Sequence, residues 1–288
     1  MLKKYLPDLL LVSIAIVWGA SYSLTKGALS FTPVLLFLSI RFGITFLLLL
    51  PFTIKQLIKT SKQSILYGSL LGFILSGIFL AETYGVKYTT AINTTILISL
   101  SIIFTPFVDT LRTKQLPSKQ LIFAGILSIF GIYILTYNQN IILNTGDILI
   151  LIAAILRTVM LTSTKIFTNK FKINSLVLTQ IQMGVILMVS LILLIQTSSS
   201  IAFPEKFEFW WQLLFIVIFC TIFAFFAQNY GVKHSTPNKA SFLMGTEPLF
   251  GVLFAIILLN ETITFNIVFG GILIFIATLM GIREDNKT

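Results

Sequence analysis

Tyr84-Gly85-Val86-Lys87 recurs as Tyr230-Gly231-Val232-Lys233, an offset of 230 − 84 = 146 in a chain of 288 residues. Gly125-Ile126-Leu127 recurs as Gly271-Ile272-Leu273 at the same offset, and Thr25-Lys26 has a looser counterpart, 139 residues on, in Thr164-Lys165. Two matches in one register, close to half the chain length, mark an internal duplication. Such a repeat governs how every other segment is read.

The sequence around these words is apolar almost throughout. The chain is 56% hydrophobic and 10% charged, with a mean hydropathy of +0.97, more apolar surface than a soluble globule can hide. Runs of roughly 17 to 25 apolar residues follow one another, each long enough to cross a hydrocarbon core of about 30 Å as a helix. The expected fold is an all-α membrane protein with ten transmembrane helices. The spans fall near 7–26, 33–54, 65–86, 90–111, 119–137, 146–166, 175–196, 210–232, 237–259 and 266–282. Lys3, Lys4 and the apolar stretch after them resemble a signal peptide, but the pattern continues into further spans and reads as a retained first helix.

Charge sets the expected orientation. With the N-terminus inside, the inner segments carry 15 Lys and Arg residues, among them Lys3, Lys55, Arg112, Lys170, Lys239 and Lys287. The outer segments carry three, Lys26, Lys87 and Lys206, while Arg41 and Arg157 lie within spans. This asymmetry predicts both termini on the cytoplasmic side of the inner membrane. A net charge of +10 also raises nucleic acid as a partner, but the basic residues sit in short loops rather than on one face, so a lipid bilayer is the expected partner.

Two repeats, 1–140 and 141–288, of five helices each are therefore expected. Five is odd, so the second copy enters the membrane from the opposite side, with Lys87 outside and Lys233 inside. One packing solution used twice in opposite senses can open to either side, with its site near mid-bilayer depth.

The stretch from Gln228 to Gly271 resembles the EamA-type drug/metabolite transporter superfamily. The resemblance rests on Gln228-Asn229-Tyr230-Gly231-Val232-Lys233, Ser235-Thr236-Pro237, Glu247-Pro248-Leu249-Phe250, Asn260-Glu261-Thr262-Ile263-Thr264 and Gly270-Gly271. In the first half, Trp18-Gly19 followed by Lys26, Pro33 followed by Arg41-Phe42, and Ala91 with Asn93 fit the same template. The resemblance implies an inverted EamA-like repeat and transport of a small polar or amphipathic metabolite, with amino acids as the first candidates and export as the direction. Three positions depart from the pattern: Ser101 or Ile102 where a proline is usual, Lys114-Gln115 in place of a Gly-Glu pair, and Arg157 where an aromatic residue is common. The last can mark this chain's own substrate preference.

An ionisable group at helix centre costs roughly 2.5 to 3.5 kcal/mol on insertion scales, so such groups are paired or face a polar cavity. Four qualify: Arg41, Glu82, Arg157 and Glu247. Pro248 removes a backbone donor beside Glu247, whose carboxylate can bind an amine, carry a proton, or tie the kink to a neighbour. Arg157 can grip a substrate carboxylate or phosphate, or neutralise Glu247. Arg41, in the outer half of its span, reads as a packing, gating or substrate-binding residue, and Glu82, nearer the surface, as a second proton carrier. Asn93, Gln180, Gln182, Gln228 and Asn229 can touch substrate or join helices. Trp18 and Tyr22, one turn apart, can wall an organic substrate or cation.

The lone cysteine, Cys220, sits in an apolar run and reads as a small packing side chain. His234 belongs to an inner loop. No Gly-rich phosphate loop, metal-ligand cluster or nucleophile-and-base pair occurs, so neither a cofactor, an ATP-driven pump nor an enzyme is expected. The leading expectation is a secondary transporter working by proton coupling or exchange, as a monomer or homodimer. A flippase for a lipid-linked substrate is the alternative.

Overall fold

The computed structural model of the chain describes residues 2–89, 91–135, 144–197, 203–259 and 264–285. Thr90, the end of the fifth expected span at 136–137, the Asn260 to Ile263 part of the quoted motif and Lys287 lie outside the described residues. Every regular element among the described residues is helical: α1 Leu2–Ala28, α2 Val34–Ile58, α3 Lys62–Tyr88, α4 Ala91–Ser99, α5 Ser101–Thr113, α6 Lys119–Leu135, α7 Thr145–Phe171, α8 Ser175–Gln196, α9 Phe207–Phe215, α10 Ala224–His234, α11 Pro237–Met244, α12 Glu247–Leu259 and α13 Phe265–Asp285, with a π-helical segment Ile216–Phe223 joining α9 to α10. Seven stretches of the described residues are long and apolar enough to cross a membrane: Tyr5–Ala28, Val34–Ile58, Lys62–Tyr88, Asn93–Thr113, Thr145–Phe171, Ser175–Gln196 and Phe207–His234.

Local chemistry explains where the helices start. Ser61 accepts from the Ser64 amide at the head of α3, and Asn174 accepts from the amides of Leu176 and Val177 at the head of α8. Asn144 and Asp147 close a reciprocal capping box on α7. At α11, Thr236 accepts from the Lys239 amide and Pro237 takes the first helical position, where its missing N–H costs nothing.

Three expected spans are not uniform α-helices. The fourth is broken at Leu100 between α4 and α5, and the ninth at Gly245 and Thr246 between α11 and α12. At both breaks the bonding tightens to three-residue steps: the Leu100 amide donates to the Leu97 carbonyl at 3.2 Å and the Thr246 amide to the Leu243 carbonyl at 3.3 Å. In the second break Pro248 supplies a cause, because its ring clashes with the carbonyl four residues back. The two breaks are spaced 246 − 100 = 146. The eighth span widens into the π-helical segment, where the Thr221 hydroxyl donates to the Ile216 carbonyl, five residues back, at 2.8 Å.

Packing joins the two parts of the chain rather than segregating them. Helix α2 lies against α8, α6 against α13, α3 against α7, and α1 against α10, α11 and α12. Small residues mark the close approaches. A Cβ on Gly85 of α3 would come within 2.8 Å of Ile150 Cγ1 on α7, and one on Gly231 of α10 within 2.7 Å of Leu11 Cγ on α1. Their spacings, 231 − 85 = 146 and 150 − 11 = 139, are those of the repeated words. At the α1–α12 crossing, a Cβ on Gly19 would lie 2.7 Å from the Gly251 backbone nitrogen, so the two backbones meet without intervening side chains.

Gly19→Ala is therefore expected to cost about 1–3 kcal/mol through overpacking and to lower the thermal unfolding midpoint in detergent by several degrees. Gly43→Ala, whose added carbon meets only Leu187 Cδ1 at 3.6 Å, should leave the midpoint unchanged or raise it. Equal midpoints for the two variants would mean that α1 and α12 can part at Gly19 without loss.

Candidate functional site

A cavity with about 520 Å3 of non-atom space, part of it open to solvent, lies among α1, α2, α3, α7 and α10. Its polar and charged lining includes Tyr22, Arg41, Glu82, Arg157 and Gln228, and Trp18, Phe79 and Phe225 form an aromatic wall. The rings are in mutual contact: Trp18 and Phe225 have centroids 5.6 Å apart, and Phe225 and Phe79 5.4 Å.

Both arginines are fixed by aromatic faces. The Arg41 guanidinium lies 4.7 Å from the Phe79 ring centroid and 5.3 Å from that of Phe42, and its Nε donates to Thr221 Oγ1 at 2.9 Å. The Arg157 guanidinium lies 4.5 Å from the Trp18 ring centroid. A cation held over a ring keeps its in-plane N–H donors free for an acceptor. Trp18 is anchored in turn, its Nε1 donating to the Cys220 carbonyl at 3.0 Å. The π-helical segment thus supplies the hydroxyl that orients Arg41 and the carbonyl that orients Trp18.

A second, smaller cavity of about 230 Å3 lies between the two helix breaks and is lined by Ser99, Ser101, Ser241, Gly245 and Glu247. Arg157 lines both cavities. Its Nη2 stands 3.6 Å from Glu247 Oε2, close enough for an ion pair and longer than a hydrogen bond. Glu247 is 2% exposed, its Oε1 has no hydrogen-bond partner among the described residues, and the Tyr22 phenol lies beside it. Glu82 is within electrostatic reach of Arg41 and Arg157. Two guanidinium groups, two carboxylates and a phenol therefore share one interior, an arrangement suited to binding a small molecule that carries an anionic group.

The structure brings together Trp18, Tyr22, Arg41, Glu82, Arg157 and Gln228 at the larger cavity and places Glu247 at the adjoining one. Arg41 and Glu82, read from sequence as lying toward the surface, face this interior. Asn93, Gln180 and Asn229 are elsewhere. Asn93 donates to Asp147 at the head of α7, Gln180 donates to the Phe46 carbonyl, and Asn229 bridges to Thr179 and Gln182 between α10 and α8. Sequence reading missed Phe79, Phe225 and Thr221: a phenylalanine in an apolar run carries no sign of the face it occupies, and nothing in the residue string announces a π-helical turn. Among the described residues no three His, Cys, Asp or Glu side chains gather as a metal site.

Comparison with known proteins gives one consistent result. The model of the EamA-like transporter family matches residues 6–137 and again 144–282. An uncharacterized transporter of Archaeoglobus fulgidus is 26% identical over 282 residues, 96% of this chain and 86% of its own length. An uncharacterized transporter of Bacillus subtilis is 24% identical over 276 residues, 92% of each chain. One solved crystal structure aligns with 98% of both chains at a TM-score of 0.78 and 13% identity, a likeness of fold alone.

Removing one partner of a buried pair strands the other. Arg157→Leu is expected to lower the thermal midpoint more than the double variant Arg157→Leu/Glu247→Gln does. A double-mutant cycle should return a coupling of about 0.5–3 kcal/mol; additive effects would mean that the two groups do not stabilise one another.

Proposed function

The chain belongs to the EamA-like transporter family, and from that premise we propose that this multi-pass membrane transporter is a secondary transporter working by alternating access in the inner membrane. Its cargo is a small polar or amphipathic metabolite, with an amino acid as the first candidate and export as the direction. The observation that carries this reading is the interior built from Arg41, Arg157, Glu82 and an aromatic wall, with Arg157 shared between two adjoining cavities. The arginines would receive an anionic group, Glu82 a cationic one, and the rings an apolar body.

The architecture proposed is ten transmembrane helices in two inverted repeats, 1–140 and 141–288, with both termini cytoplasmic. Support comes from the helix breaks at matched spacing, from the paired glycine contacts of α3 with α7 and α10 with α1, and from the 15-to-3 division of basic residues between the loops. Halves of equal build and opposite sense give two states of comparable energy, one open to each face. Glu247, and after it Glu82, are the proposed proton carriers, because a carboxylate held beside a guanidinium at this depth can exchange a proton as the pair separates.

A thermal-shift screen of the purified protein against a metabolite library is expected to yield hits bearing a carboxylate or other anion, since a ligand at 100 times its Kd adds about 2.7 kcal/mol. Stabilisation by lipid-linked compounds alone would favour a flippase instead. With a hit in hand, Glu247→Gln is expected to fold and to lose uptake driven by a pH gradient in proteoliposomes. Undiminished pH-driven flux would remove Glu247 from the coupling.

A further inference from the structure

Two polar contacts outside the linings of both cavities are spaced as the repeats are. Lys239 Nζ donates to Asp8 Oδ2 at 2.7 Å, tying the start of α11 to the first turns of α1. Asn93 Nδ2 donates to Asp147 Oδ1 at 3.3 Å, tying the start of α4 to the first turn of α7. The differences 239 − 93 = 146 and 147 − 8 = 139 are those of Tyr84 with Tyr230 and of Lys26 with Lys165. One contact is thus made twice, each time between the head of a first helix and the head of the other half's fourth. Lysine bonds accompany both: Lys26 Nζ donates to the Thr89 carbonyl beside Asp147, and Lys165 Nζ donates to the Lys233 carbonyl at 2.8 Å.

The chemistry of the two contacts is unequal. Asp8 meets an ammonium, and the side chains of Asp8 and Lys239 remain 26% and 18% exposed. Asp147 is buried and accepts from neutral groups, the Asn93 amide, the Thr89 hydroxyl and the Asn144 backbone N–H. A partly solvated ion pair is screened by salt, whereas a buried carboxylate bonded to neutral donors is not.

We propose that Asp8–Lys239 and Asn93–Asp147 are the two gate latches of this transporter, inner and outer, and that their unequal chemistry sets which face the empty protein closes. The inference rests on alternating access between oppositely oriented halves. It assigns functions to Asp8, Lys239 and Asp147, which sequence reading did not single out, and moves Asn93 from the substrate site to a gate. A latch opens and closes with the cycle, so it shifts the balance between faces, whereas a mere helix cap affects stability alone.

The test needs no substrate. In a Cys220→Ser background, a single cysteine at Ser21, which lines the larger cavity, is labelled with membrane-impermeant sulfonatoethyl methanethiosulfonate in right-side-out and in inverted membrane vesicles. Lys239→Asn gives the inner latch the chemistry of the outer one. It is expected to raise labelling from the inner side roughly two- to fivefold, the range a partly exposed ion pair supports, and to lower labelling from the outer side. Asp8→Lys/Lys239→Asp should restore the parent ratio. Raised KCl should move the parent in the same direction as Lys239→Asn and leave that variant unmoved, a readout that stands even if a variant fails to fold. Labelling that is insensitive to salt, or that changes equally from both sides, overturns the latch. A cysteine that reacts from one face alone, or from neither, under every condition overturns alternating access, and the latch with it.

Discussion

The interior is organised around the 3.6 Å pair of Arg157 Nη2 and Glu247 Oε2. Leaving either charge unpaired inside an apolar helical bundle costs roughly 2.5 to 3.5 kcal/mol on insertion scales, and each keeps unused hydrogen-bonding capacity. Arg157 holds its planar group over Trp18, while Glu247 keeps Oε1 without a partner. Trp18 in turn depends on the Cys220 carbonyl, so the pair's position is relayed through α1 to the π-helical segment and from there, through Thr221, to Arg41. A chain of directional contacts thus runs from Glu247 through Arg157, Trp18 and the π-helical segment to Arg41.

Irregular backbone is costly next to lipid and tolerable where protein encloses it. The breaks at Leu100 and at Gly245 and Thr246 obey this, since both border the smaller cavity, where serine hydroxyls and the Ser101 carbonyl gather. The polar residues that avoid the cavities serve another purpose. Asn229 on α10 donates to both Gln182 and Thr179 on α8, holding together two surfaces that in lipid have no hydrophobic reason to associate.

Much of this was legible in the residue string. A membrane-spanning all-helical chain follows from apolar runs of fixed length, and Arg157 and Glu247 stand out by the cost of burying a charge, with their pairing one of two readings the sequence left open. Trp18, Tyr22 and Gln228 were legible only as candidates, because the same aromatic and amide side chains also serve lipid-facing, packing or helix-joining positions. Depth was not: Arg41 and Glu82 lie in positions where helix tilt and neighbouring chain decide whether a side chain reaches the interface or turns inward, and tilt has no signature in composition. Gln180, Gln182 and Asn229 illustrate the complementary difficulty. An amide that joins helices and an amide that binds cargo look identical until the facing helix is known. The π-helical turn was equally silent, since Ile216–Phe223 reads as ordinary apolar helix, and its register shows only in the structure, where the Ala224 amide donates to the Phe219 carbonyl, five residues back.

Helix α1 packs against α10, α11 and α12, segments that follow it by roughly 200 residues or more. During synthesis the ribosome therefore delivers α1 to the bilayer long before its partners exist, with Trp18, Tyr22 and the groove at Gly19 turned toward whatever the insertion machinery offers in their place. Contacts of such sequence separation form late. The native contacts of α1 are thus complete only once α10, α11 and α12 have been made.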